Sequence, residues 1–113
     1  MLECRTHGDT IVVKVTVAQI QSTVAATFRN EVVRAVSEAR GPVVLNLENV
    51  EFVDSSGVGA MVAIFKGLER GRTMVLCSPK SPVRSLLELT RMDKIFRVYA
   101  TESEALGSFA ETS

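Results

Sequence analysis

Apolar positions that alternate with polar ones, or that form short uncharged runs, divide much of the chain into candidate β-strands. Residues 2–6 and 10–17 are rich in β-branched residues and flank the turn sequence "HGD", which predicts a β-hairpin. Short apolar runs predict three further strands, at 43–47 ("VVLNL"), 73–77 ("TMVLC") and 95–99 ("IFRVY").

A different period, with apolar residues three or four apart, predicts a first helix after the hairpin. Its apolar face consists of Val24, Phe28, Val32 and Val36. Ser22 or Thr23 can cap its start. Gly41 suits the left-handed position that follows a helix, and Pro42 prevents its continuation.

Three more helices are predicted in the second half of the chain. The second helix ends at Gly71, and its apolar stripe is Val58, Met61, Val62, Phe65 and Leu68. Ser81 caps a third helix with Pro82 in its first turn, and its apolar side is Leu86, Leu87 and Leu89. Residues 101–104 ("TESE") form a capping box that opens the last helix, and the tail after Phe109 is expected to fray.

The predicted element order is β-β-α-β-α-β-α-β-α. Strands that alternate with helices indicate an α/β fold with parallel strand pairs, and the hairpin makes the sheet mixed. A chain of 113 residues with 46% apolar residues suits a single domain, 1–113, with one core.

Charge and cysteine content narrow the classes of function. The formal net charge is zero, so no global field attracts nucleic acid or an anionic membrane, and no apolar run is long enough to span a bilayer. Cys4 and Cys77 are expected to be buried thiols of a cytoplasmic protein, and whether they lie close together is open. With His7 as the sole histidine, no metal site or cofactor is predicted.

The stretch "VDSSGVG", residues 53–59, places an acid and two serines at the start of the second helix. Asp54, Ser55 or Ser56 can each cap that helix, and one cap suffices, so at least one hydroxyl is spare. A catalytic serine is disfavoured because the G-x-S-x-G pattern and a paired base are lacking, so no enzyme is predicted. Spacing alone favours plain capping, and a phosphate acceptor remains a further interpretation, because a helix N-terminus tolerates the added anion.

The segment "VVLNLENVEFVDSSGVGAMVAIFK" resembles the signature of the STAS domain, in particular that of the anti-sigma-factor antagonists. The later stretch with "DKIF" resembles the end of that family, and the resemblance covers residues 9–109. It implies a mixed four- to five-stranded sheet with helices packed mainly on one face, and a binding protein without catalytic activity.

The resemblance also implies a switch. In the family, the second serine of D-S-S-G, here Ser56, is phosphorylated by an anti-sigma factor that is a serine kinase of the GHKL type. A PP2C-type phosphatase restores the hydroxyl, and the unmodified antagonist binds the anti-sigma factor. Asp54, Ser55 and Gly57 are then expected to belong to the partner-binding surface.

One segment departs from the family pattern. Where relatives often carry "G-E-[LI]-D" near the phosphoacceptor, this chain has "AQIQ", residues 18–21, so Gln21 replaces an acid. Gln21 is therefore either a partner-binding residue with altered specificity or an ordinary loop residue.

Two functions from different classes remain. The first is the phosphorylation-switched antagonist, and the alternative is a constitutive interaction subunit of a transport or stress-signalling complex. Genes for a GHKL kinase and a PP2C phosphatase beside this one would favour the first, and genes for a permease and an ATPase the second. The regulated process and the oligomeric state are not predicted.

Overall fold

The computed structural model describes residues 1–110. The strands are β1 (Leu2–His7), β2 (Thr10–Val15), β3 (Gln19–Ile20), β4 (Val43–Asn46), β5 (Phe52–Val53), β6 (Met74–Cys77) and β7 (Val98–Tyr99). The helices are α1 (Ala25–Ser37), α2 (Ser55–Gly67), α3 (Ser81–Leu89) and α4 (Glu102–Ala110), with a 3₁₀ turn at Met92–Lys94. The frayed tail predicted after Phe109 lies, from residue 111 onward, outside the described residues.

The main sheet has five strands in the order β1-β2-β4-β6-β7. β1 and β2 form the predicted antiparallel hairpin, with Gly8 at a positive φ of 62° in its turn. The pairs β2–β4, β4–β6 and β6–β7 are parallel. The predicted mixed sheet of an α/β fold is therefore confirmed.

Helices cover the two faces of this sheet unequally. α1, α2 and α3 contribute to the main core against one face, where Phe28, Met61 and Leu87 are all at most 1% exposed. α4 packs on the opposite face, where Ala105 joins a smaller cluster with Val44 and other strand residues. The prediction that helices lie mainly on one face is confirmed, and α4 is the exception.

The sequence pattern did not predict β3 and β5, which pair in parallel as a separate two-stranded sheet. Each has only two residues, which is too few for the alternation of apolar and polar positions that predicts a strand. Their register aligns Ile20 with Val53, and both side chains are buried. This pairing brings the segment before α1 beside the start of α2.

The predicted ends of α1 were wrong. The N-cap residue is Val24, which makes no side-chain capping bond; the carbonyl of Gln21 accepts hydrogen bonds from the Val24 and Ala25 amides instead. The helix ends at Ser37, and Gly41 does not take a left-handed conformation. Gly41 is needed for close packing, because a Cβ there would lie 1.9 Å from the Asp9 carbonyl oxygen.

Three later boundaries also differ. α2 ends at Gly67, and Gly71 lies in the following turn with φ of 91°. Ser81 is the first residue of α3 and not its cap, and Leu89 points to solvent with 82% exposure. Of the strand predicted at 95–99 only Val98–Tyr99 pairs with the sheet.

The two cysteines differ in environment. Cys77 is buried as predicted, and burial raises the pKa of its thiol to about 11, so the thiol is protonated at neutral pH. Cys4 is exposed, which corrects the prediction that it is buried. Because β2 and β4 lie between the strands that carry them, the two thiols are not adjacent, and both are free. No helix among residues 1–110 has the length and apolarity needed to cross a membrane.

Glu102, the first residue of α4, fastens this helix to the sheet. Its carboxylate pairs with the Arg5 guanidinium of β1, and its Oε1 accepts a hydrogen bond from Asn46 Nδ2 of β4 at 3.0 Å. Asn46 is only 1% exposed, so its amide depends on such partners. The hydrogen bond from Arg5, reinforced by the bond from Asn46, holds the pKa of Glu102 below its ordinary value.

This shift predicts how stability depends on pH. The folded-state pKa of Glu102 is lowered, so the unfolded chain takes up the proton first as the pH falls. The stabilisation is present above the ordinary pKa of 4.5 and is lost as the pH falls below it toward the folded value. We expect the free energy of unfolding, measured by urea denaturation, to fall between pH 7 and pH 3.5. The fall should be larger for wild type than for Glu102→Gln by about 0.5–1 kcal/mol.

The matched control is Glu104→Gln, a change at an exposed carboxylate of the same helix. It should follow the wild-type pH dependence. If Glu102→Gln showed the same pH dependence as wild type and this control, the carboxylate contacts to Arg5 and Asn46 would carry no folding free energy.

Candidate functional site

Asp54 caps α2 and also joins it to a distant segment of the chain. Its Oδ1 accepts a hydrogen bond from the Gly57 amide at 3.0 Å, which satisfies one of the free N–H groups of the first turn. Its Oδ2 accepts a second hydrogen bond at 3.0 Å, from the amide of Ser22 just before α1. The sequence left three candidates for the cap, and the structure assigns it to Asp54.

The two serines are thereby left without a capping role. Ser55 and Ser56 are the first two residues of α2, and both are exposed. No hydrogen bond joins either hydroxyl to another residue of the 1–110 region. Each is thus a free hydroxyl at the N-terminus of a 13-residue helix.

Gly57 and Gly59 have opposite environments. Gly57 is buried, and a Cβ there would lie 2.3 Å from the carbonyl oxygen of Ile20 in β3 and 2.7 Å from Val53 Cγ1. Gly59 is exposed, and nothing lies within 4 Å of the position that a Cβ would take there. We therefore assign Gly57 a packing role in holding the helix start against β3, whereas Gly59 leaves the outer surface of α2 open.

Gln21 lies at this site because of the β3–β5 pairing. It directly follows Ile20, whose partner Val53 directly precedes Asp54. The side chain of Gln21 is half-buried, and its Nε2 donates to Gln19 Oε1 at 3.0 Å. The structure therefore brings Gln21 close to the start of α2, although 32 positions separate Asp54 from the adjacent Ser22.

Two surface features near the start of α2 were missed in the sequence. The first is Phe52 of β5, whose side chain is 48% exposed four residues before Ser56. The second is an open groove of about 250 Å³ between α1 and α2, in which Arg29 supplies a positive charge. The remaining lining of this α1–α2 groove is Ser56 with small residues: Ala25, Ala26, Gly59, Ala60 and Ala63.

A periodicity analysis could have found the groove only in part. Small residues recur at helical spacing on α2, at Ser56, Gly59, Ala60 and Ala63. This pattern fits a buried helix face as well as an open groove, so it does not identify the groove. Phe52 gives no signal, because a large apolar residue in a two-residue strand is usually read as core.

A comparison with protein families matches the family model of the STAS domain to residues 1–105. The chain belongs to the STAS domain family. The match covers all seven strands and the first three helices of this STAS domain, and it confirms the resemblance found in the D-S-S-G segment.

Among curated relatives of this STAS domain is the anti-sigma F factor antagonist of Paenibacillus polymyxa, which is 37% identical over 65 residues. That alignment covers 57% of this chain and 56% of the relative, so the chain spans a little over half of the relative's length. The name describes a regulator and not an enzyme, in accord with the absence of a predicted catalytic site.

Solved STAS structures share the fold over nearly the whole chain. An anti-sigma factor antagonist from Mycobacterium paratuberculosis superposes with a TM-score of 0.87 at 24% identity, covering 96% of this chain and 92% of that one. The anti-sigma factor antagonist SpoIIAA from Bacillus, solved in its phosphorylated form, gives a TM-score of 0.69 at 21% identity and covers 96% and 99% of the two chains.

The described residues of this STAS domain do not place the sole histidine beside Ser56. His7 lies at the β1–β2 turn on the face that carries α4, whereas Ser56 lies on α2, so the structure does not bring them together. Within residues 1–110 no group of three or more His, Cys, Asp or Glu side chains could hold a metal ion. The arrangement supports binding at an exposed helix start.

Proposed function

We propose that this STAS domain is an anti-sigma-factor antagonist that binds an anti-sigma factor while Ser56 is unmodified and releases it when Ser56 is phosphorylated. The observation that carries the proposal is that the cap of α2 and the exposed hydroxyl at its start belong to different residues. Asp54 provides the cap with both carboxylate oxygens engaged, and the neighbouring Ser56 hydroxyl is exposed and free of partners among residues 1–110.

The folded domain tolerates a phosphate at this position. The group carries about −1.5 to −2 charges at neutral pH. It would sit at the positive end of the α2 dipole, where an anion contributes about 0.3–1 kcal/mol of favourable free energy. Arg29 lines the same α1–α2 groove as Ser56. Among residues 1–110 its guanidinium bonds only to Asn30 Oδ1, at 3.3 Å, so it is available to the phosphate.

The same phosphate opposes a docked partner. Small side chains in the α1–α2 groove permit close approach of another protein, and the exposed ring of Phe52 offers an apolar anchor of the kind found at interfaces. A partner that covers this surface would bury the new anion beside Asp54. Like-charge repulsion and lost hydration then weaken the complex without weakening the fold.

The relatives support a partner of this class. One curated relative is named an antagonist of anti-sigma F factor, and SpoIIAA, which shares the fold, has been solved in phosphorylated and unphosphorylated forms. The family resemblance further suggests that the anti-sigma factor is itself the GHKL-type serine kinase and that a PP2C-type phosphatase reverses the modification. Gln21 and Ser55 flank Ser56 and belong to the surface that this kinase would recognise, while Gly57 acts from beneath it.

The test is to isolate the protein from its native host during growth and under stress and to determine its intact mass with peptide mapping. A condition-dependent fraction should carry one phosphate on Ser56. Ser55→Ala, which removes the neighbouring exposed hydroxyl, should retain the phosphate, and Ser56→Ala should lose it. A protein that is unmodified under every condition, or a phosphate that persists in Ser56→Ala, would contradict the proposal.

The alternative function, a constitutive interaction subunit, is tested by co-purification from the same host. Its partner would co-purify equally with wild type, Ser56→Ala and Ser56→Asp, because the interaction would not depend on the state of Ser56.

A further inference from the structure

A second groove lies on the opposite side of the sheet from Ser56. It has a volume of about 770 Å³ and runs across the ends at which the parallel strands β4 and β6 begin, between the β1–β2 turn and the second half of α4. Its apolar lining includes Val75 and Leu106, and its polar lining includes Thr10, Thr73, Arg97 and Tyr99. We call it the α4 groove.

The groove exists because α4 covers only part of its face of the sheet. Glu102 holds the start of α4 over Asn46 and Arg5, at the end where β4 finishes. Toward the other end of β4 the helix packs against the sheet through Ala105 and Leu106, near Val44 and Val75. The strip between this helix and the β1–β2 turn has an apolar floor but no covering element among residues 1–110.

Polar groups that lack protein partners converge on this floor. Thr10 is only 7% exposed, yet no hydrogen bond within the described residues engages its hydroxyl. No polar side-chain atom among residues 1–110 is both fully buried and without a hydrogen-bond partner, so the Thr10 hydroxyl reaches solvent through the groove and is open to a ligand there. The hydroxyls of Thr73 and Tyr99 likewise have no side-chain bond within residues 1–110.

Arg97 gives the groove a charge preference. Its guanidinium makes no ion pair or hydrogen bond within residues 1–110, although it lines the groove beside Tyr99 on β7. Asp9, the acid in the lining, belongs to the β1–β2 turn at the opposite edge of the sheet. β1 and β7 are four strand spacings of about 4.8 Å apart, so Asp9 does not neutralise the Arg97 end.

We propose that the α4 groove binds a small amphipathic anion, namely an organic molecule with an aromatic or aliphatic body and one carboxylate, sulfonate or phosphate group. The anionic group pairs with Arg97, the body lies on Val75 and Leu106, and the hydroxyls of Thr10 and Thr73 supply hydrogen bonds. The volume is that of sites for ligands of this size, which span about 300–1,000 Å³.

This site is separate from the Ser56 surface. α1 and α2 lie on the other face of the five-stranded sheet, so a ligand in the α4 groove contacts neither helix. The inference therefore stands or falls independently of the phosphorylation switch.

The test uses two dyes that differ by one group. 8-Anilinonaphthalene-1-sulfonate carries an aromatic body and a sulfonate, and N-phenyl-1-naphthylamine has the same body without the charge. Fluorescence titration of the full chain should show that Arg97→Gln weakens sulfonate dye binding about tenfold, the loss of one charge-assisted contact, and leaves the neutral dye unchanged. Arg34→Gln on α1, across the sheet, is the matched control and should change neither dye.

A second variant tests the location. Thr73→Phe places a ring in the groove at an exposed position and should weaken both dyes, with an unchanged urea midpoint showing that the fold is intact. Backbone amide shifts caused by the sulfonate dye should cluster at Thr10, Thr73 and Arg97. Equal sulfonate dye affinity in wild type and Arg97→Gln, or amide shifts confined to α1 and α2, would overturn the proposal.

Discussion

Replacing Ser56 by aspartate is expected to abolish binding to the anti-sigma partner while the domain stays folded. The carboxylate places a negative charge in the first turn of α2, beside Asp54 and at the edge of the α1–α2 groove. A loss of about 4 kcal/mol in binding free energy corresponds to a dissociation constant about a thousandfold higher. The free energy of unfolding should change by less than about 0.5 kcal/mol, because the position is exposed and favours an anion.

One control makes this result specific. Ser56→Ala removes the hydroxyl without adding charge and should retain partner binding. Titration calorimetry with the purified anti-sigma partner measures the dissociation constant, and urea denaturation measures the free energy of unfolding. Wild-type affinity in Ser56→Asp would contradict the switch, and a large drop in its stability would attribute any binding loss to unfolding.

Gly57→Ala is expected to have the largest effect on stability among single substitutions at this site. The added Cβ would lie 2.3 Å from the Ile20 carbonyl oxygen, which is backbone and is itself bonded to the Asp54 amide at 3.2 Å. Because neither partner can move freely, we expect a loss of about 2–4 kcal/mol in the free energy of unfolding. The start of α2 would have to move away from β3, so partner binding should weaken as well.

Gly59→Ala is the matched control, two residues along the same helix. Nothing lies within 4 Å of its Cβ position, and alanine is favoured over glycine inside a helix by about 1 kcal/mol. It should therefore leave stability unchanged or raise it. Equal losses in the two variants would show that the Gly57 contact with β3 is not the cause.

The sequence allowed the main sheet and the helix order to be predicted because long stretches repeat a clear period. The stripe of Phe28, Val32 and Val36 is buried on α1, and "VVLN" and "MVLC" are fully buried strands. One of the two bonds of the predicted capping box at α4 is present, since Thr101 Oγ1 accepts a hydrogen bond from the Glu104 amide at 3.1 Å. These features are determined by residues close together in the sequence, which is why the sequence predicts them.

The errors arose where distant segments meet. Gly41 was interpreted as a helix terminator, whereas its hydrogen is required by contact with Asp9 more than 30 residues earlier. The cap of α2 stayed ambiguous because local spacing cannot distinguish Asp54 from the serines. The Gly57 amide bond identifies Asp54 as the cap, and the bond from distant Ser22 holds its other carboxylate oxygen. Phe52 and Arg29 became visible as surface features only once β5 and α1 were placed.

The bond between Asp54 and Ser22 has a consequence for how duplicated copies of such a domain can diverge. The donor is the main-chain N–H of Ser22, so this bond does not require any particular exposed side chain in the loop before α1. Exposed Gln19 and half-exposed Gln21 can therefore change without disturbing the serine or the fold. Under the switch proposed above, a genome that holds several of these domains can keep their pathways insulated from one another by varying these two side chains while the proposed phosphoacceptor, Ser56, stays the same.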